Sequence, residues 1–133
     1  MKKKGLGAYK QQEKAGVEAS DSVQLVGVLF TKLMDNLAKA SHHIERKDFS
    51  NKSDRLSLSI EILLVLEQSL DFQKGGDLAS NLQSLYLYCI RRLTEANASN
   101  DLAAISEVVG LLKEIQEAWN YISVPKAAIA TVQ

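Results

Sequence analysis

The side chains able to do covalent or metal chemistry are few in this sequence. His42 and His43 are adjacent and sit among Ser41, Glu45 and Arg46, and Cys89 is the single cysteine. A metal site inside a helical bundle needs inward-facing glutamates and Glu-x-x-His pairs, and neither histidine follows a glutamate at that spacing. No metal and no cofactor is therefore expected, and the two histidines read as solvated residues favoured by the end of a helix. A nucleophilic cysteine needs a cationic neighbour to lower its pKa. Cys89 falls within an apolar stripe that carries none, so it reads as an inert core thiol. Lys74-Gly75-Gly76 joins two helical patterns and matches no phosphate-binding loop, so it reads as a turn. Lys2-Lys3-Lys4 reads as a solvated end, and four tyrosines, three phenylalanines and one tryptophan make no stacking platform interleaved with arginines. Neither an enzyme nor a nucleic-acid binder is expected.

What the sequence has in surplus is apolar helix surface. Residues 56–70, LSLSIEILLVLEQSL, carry Leu56, Ile60, Leu63 and Leu70 as one stripe at helical spacing, and Leu58, Ile62 and Val65 as a second on another side. Only Ser57, Glu61 and Gln68 read as solvated. A helix this apolar has to be central, covered by a flanking segment, or open to a partner.

The elements that must position this helix follow from composition and pattern. A chain of 133 residues with 46% hydrophobic content builds one domain. Sixteen basic residues balance sixteen acidic ones, so no global field favours nucleic acid or an anionic membrane, and recognition should be mainly apolar. The lone cysteine suits a reducing compartment. The basic start is followed by no apolar signal region, and the longest apolar run, residues 62–66, is far short of the ~20 residues that span a bilayer. A cytoplasmic protein without membrane insertion is expected. A single proline, Pro125, and few interior glycines point to an all-α fold.

Residues 1–20 are polar and aperiodic, with Leu6, Tyr9 and Val17 as their only substantial apolar anchors, so a mobile N-terminal segment is expected. Asp21 and Gln24 fit a capping box that opens a first helix. Its stripe is Val26, Leu29, Leu33, Leu37, Ala40 and Ile44, widened by Phe30 and Met34, while Leu25 and Val28 fall off it. After a polar connection over residues 47–52, Asn51 or Ser53 should cap the apolar helix, which ends near Phe72. Gly75-Gly76 supplies the positive φ of a tight reversal, and Asp77 opens a third helix with a stripe of Leu78, Leu82, Leu85, Cys89, Leu93 and Ala96. Ser99-Asn100-Asp101 is a stop and restart. The fourth helix carries Ile105, Val108, Leu112, Ile115, Trp119 and Ile122, and Val124-Pro125 ends it, leaving residues 123–133 as a frayed tail. The expected architecture is an antiparallel up-down four-helix bundle over residues 21–122.

Four mutually packed stripes do not require Leu25, Val28, Leu58, Ile62, Val65 or Leu87. They are either the broad core of a small bundle or a groove that takes an amphipathic partner helix through anchors at i, i+3, i+4 and i+7. Tyr9 and Val17 could cover such a groove when it is empty. A monomer or weak dimer is expected, with burial of the second helix against its own copy as the alternative.

The block Gly75-Gly76-Asp77-Leu78-Ala79-Ser80-Asn81-Leu82-Gln83-Ser84-Leu85-Tyr86-Leu87-Tyr88 resembles, without a gap, the Gly-Gly-acidic-aliphatic-Ala-x-Asn-Leu-x-x-Leu-Tyr-x-Tyr pattern of the flagellin-specific export chaperones, the FliS family. Ser69-Leu70-Asp71-Phe72 before it, and Arg92-Leu93, Asp101, Glu107-Val108, Leu111-Leu112 and Ala118-Trp119 after it, fit the same family, as do Tyr9, Ala40, Ile44-Glu45 and Asp48. Two motifs depart from it. Val17 to Val26 lacks the family's helix-opening proline, and its Leu-Tyr-Asp-Gly appears here as Leu29-Phe30-Thr31-Lys32. The resemblance implies a helical bundle that binds the disordered C-terminal segment of newly made flagellin in the cytosol, blocks premature polymerisation and keeps the client competent for flagellar type III secretion. It also implies an N-terminal segment that lies over the client groove and helps contact an export-gate component, a role that falls on Tyr9.

Overall fold

The structure is a computed structural model, which describes the backbone of residues 19–132 and the side chains of residues 24–119. The segment carrying Tyr9 and Val17 lies outside the described residues. Four helices follow one another: α1 over Ala19–Glu45, α2 over Phe49–Gln68, α3 over Phe72–Ser99 and α4 over Leu102–Val132. Connections of two or three residues leave each helix no choice but to run back along the one before it. Helix α1 packs on α2 and α4, and α3 packs on the same two, so the bundle closes with α1 beside α4. The described residues contain no strand, and the fold is the expected all-α four-helix bundle.

The core is assembled from one stripe per helix. Leu33, Leu37, Ala40 and Ile44 of α1 are buried with Phe30, as their spacing requires. In α2 the buried positions are Lys52, Leu56, Ser59, Leu63 and Leu66, alternating by four and three as in a coiled-coil seam. In α3 they are Ala79, Tyr86, Cys89, Leu93 and Ala96. Helix α4 contributes Ala104, Ile105, Val108 and Leu112. The stripe expected for α3 is corrected at its start. Leu78 is 62% exposed, and Ala79 takes the seam position in its place.

Two helix starts differ from expectation because an aspartate caps them earlier, at Asp48 and Asp71. Asp48 caps α2, accepting from the Asn51 backbone N–H at 3.4 Å and from its side-chain Nδ2 at 2.7 Å. Asn51, expected with Ser53 as a possible cap, is instead the third residue of the helix and reaches back to Asp48. Helix α1 ends through Lys47 at φ 59, with Asp48 N donating to His43 O at 2.8 Å and Lys47 N to Ile44 O at 3.0 Å. These are the two bonds of a Schellman ending, here with lysine in the left-handed position.

The α2–α3 reversal is made at residues 69–71, ahead of the two glycines. Asp71 caps α3 by accepting from Lys74 N at 3.0 Å, so one helical turn forms before Gly76. Gly76 then kinks the helix at φ 50, ψ −126, a conformation essentially reserved for glycine. A Cβ on Gly75 would lie 2.9 Å from the Ala79 Cβ, so that glycine is required by close packing. Asn100, at φ 57, ends α3 in the left-handed conformation. Asp101 caps α4 through Ala104 N at 3.2 Å. Helix α4 does not stop at Val124. Its backbone continues through Pro125 to Val132, although proline has no N–H to give to the helical ladder. Helix α1 likewise starts at Ala19, before the expected cap at Asp21.

Candidate partner-binding surface

The polar clusters of the bundle are spent on joining helices. Among the described residues no group of three or more metal-ligating side chains converges. His42 lies 3.3 Å from Arg46 Nη1, and His43 Nδ1 lies 3.5 Å from Asp48 Oδ2, so both rings border the α1–α2 connection. Cys89 is fully buried, and burial, followed by the Glu107 charge, pushes its thiol up to about 11. A thiol held this firmly protonated is no nucleophile at neutral pH. Glu107 of α4 accepts from Tyr88 Oη and, at 2.7 Å, from Arg92 Nε of α3, and Arg92 Nη1 also reaches Glu95 at 2.9 Å. The hydrogen bond from Tyr88, then that from Arg92, holds the Glu107 carboxyl below its usual range.

Apolar surface is what the bundle leaves over. Arg55 Nη1 donates to Asn36 Oδ1 at 3.1 Å and sets the register of α1 against α2. The turn angle from Arg55 puts Leu58, Ile62 and Val65 on the side of α2 that borders α1. All three are half-buried, as is Leu25, and Ile62 packs against the core. Helical spacing thus sets Leu58, Ile62 and Val65 on the side of α2 towards α1.

Val28 stands apart, 49% exposed and farther round α1. It lines an open hollow of about 590 Å³ together with Gln24, Gly27, Thr31 and Lys32 of α1 and Gln116 of α4. Further apolar side chains are exposed: Leu64, Phe72 and Leu78 at the end of the bundle that holds the α2–α3 reversal, and Phe49 and Leu102 at the other. Leu87, on the outer side of α3, is 47% exposed. Leu78 was hidden by its helical spacing. Leu78 and Ala79 are adjacent and both apolar, so the pattern does not say which of them faces the seam. No helix among the described residues is long and apolar enough to cross a membrane.

Comparison with known proteins places this architecture. The family described as Flagellar protein FliS matches residues 5–126. The Flagellar secretion chaperone FliS of Salmonella typhimurium is 43% identical over 126 residues, covering 93% of each chain. The Flagellar secretion chaperone FliSB of Pseudomonas aeruginosa is 38% identical over 120 residues, which is 87% of this chain and 95% of the relative. The Escherichia coli protein of the same description as the Salmonella one is 39% identical over 119 residues, 87% of each. A match over nearly the whole bundle, by a chain whose helices, Gly75-Gly76 kink and Asp101 cap are all in place, leads to one assignment: the chain belongs to the FliS family of flagellar secretion chaperones.

Proposed function

We propose that this chain is a cytosolic export chaperone that binds the disordered C-terminal segment of flagellin, prevents premature polymerisation and holds the client competent for flagellar type III secretion. Family membership supports the chaperone role. The observation that carries the client reading is the apolar surface left over once the core is complete. The buried stripes of the four helices close without Leu25, Leu58 and Val65, which stay half-buried, and Val28 is half in solvent. A client that is disordered when free can bury its own apolar helix faces against such a surface, and the entropy lost in ordering it keeps the complex releasable. Tyr9 and Val17 are proposed to cover the surface before the client arrives and to contribute to contact with an export-gate component.

The test mixes the purified chain with flagellin that keeps or lacks its last helical segment. Complex formation with the intact client alone, seen by size-exclusion chromatography with light scattering, supports the reading. Equal binding to both forms, or to neither, contradicts it.

A further inference from the structure

Gly27 lies well inside α1, where glycine is less favourable than alanine because more backbone freedom is lost on folding. A buried neighbour or a left-handed backbone would account for it, and neither is present among the described residues. Its φ is not positive, and a Cβ built on it meets nothing within 4 Å. Gly75 is the contrast, with Ala79 at 2.9 Å. The room above Gly27 belongs to the hollow between α1 and α4, which Val28 lines with apolar surface. Lys32, on the rim, makes no ion pair among the described residues, whereas Lys39 on the same helix is paired with Asp35 at 3.0 Å. The Thr31 hydroxyl is committed to Gly27 O at 3.0 Å. The hollow thus offers an apolar floor, a backbone open to close approach and one positive charge without an ion pair among the described residues.

We propose that this hollow is a second seat for the client, distinct from the α1–α2 seam, which takes an apolar side chain of an amphipathic segment while Lys32 pairs with a carboxylate carried beside it. The inference rests on the flagellin reading and adds to it a chemical preference for an acidic amphipathic segment. Gly27 admits the segment, and Lys32 selects its charge.

The test measures binding of the labelled C-terminal segment of flagellin to the full chain and to its variants Gly27→Leu, Lys32→Glu and Lys32→Arg. Gly27→Leu fills the seat and should weaken binding by at least about tenfold, as loss of an anchor pocket does. Its thermal midpoint should stay level or rise. Lys32→Glu should weaken binding about fivefold and flatten its dependence on salt, while Lys32→Arg should retain it. Binding by either Gly27→Leu or Lys32→Glu within about twofold of the unaltered chain overturns the inference and leaves the flagellin reading standing. No binding by the unaltered chain removes both.

Discussion

The ammonium of Lys52 lies 2.8 Å from the backbone oxygen of Asn97 and 2.8 Å from its side-chain Oδ1, with the lysine only 4% exposed. Ser53 Oγ donates to the same Oδ1 at 3.0 Å. The first turn of α2 is thereby fastened to the last turn of α3, where carbonyls lack helical partners and the dipole favours a cation.

Removing this clamp should cost stability without touching Val28 or the hollow that it lines. Lys52→Ala leaves the Asn97 oxygens without their charged donor and is expected to destabilise the chain by about 2–3 kcal/mol in urea unfolding. Lys52→Met restores the apolar stem and should recover part of the loss.

Cys89 predicts a pH effect of definite sign. Its folded-state thiol is raised from 9.0 to about 11, so the folded form favours the proton. Stability from this group is complete below pH 9 and falls as pH rises from there towards 11, because the unfolded chain releases its proton first. Urea midpoints measured from pH 7 to 11 should decline over that window, and Cys89→Ala should reduce the decline. At pH 8 a thiol reagent should label the native chain only as fast as it unfolds.

The glycines divide into those the fold needs and those it does not. Gly76→Ala forces a side chain onto φ 50, ψ −126 and should lower stability by about 1–3 kcal/mol. Gly110→Ala meets nothing within 4 Å in the interior of α4 and should raise it by about 0.5–1 kcal/mol. Thermal melts of the two variants should move in opposite directions.

Core and surface leucines and valines separate in the same manner. Leu63→Ala opens a cavity at a fully buried position and should cost about 2–5 kcal/mol. Val28→Asp, at a position 49% exposed, should change stability by no more than about 0.5 kcal/mol while weakening capture of flagellin.

Much of the bundle is legible before any coordinates. Leu33, Leu37, Ala40 and Ile44 repeat at helical spacing with polar neighbours, and they are buried. Val28, off that stripe, stands half in solvent. What was not legible has local causes. Leu78 and Ala79 are both apolar and adjacent, so pattern alone leaves the register of α3 open by one residue, and packing buries Ala79. Lys52 reads as part of a polar connection, because the two Asn97 oxygens that accept its charge lie 45 residues away. Asp48 and Asp71 cap helices in stretches that read as a polar connection and as the end of the preceding helix, since a carboxylate that caps a helix outweighs the weak preferences of its neighbours. Exposure of the apolar seam depends on how four helices share their flanks, a property of packing that no single helix pattern carries.

The central claim is tested most directly by calorimetric titration of the chain with the isolated C-terminal segment of flagellin. Saturable binding with a negative heat-capacity change and a gain of helical circular dichroism is the result expected when a disordered client buries apolar surface on a preformed bundle. Absence of binding heat at any temperature, with the segment's spectrum unchanged by mixing, would contradict it.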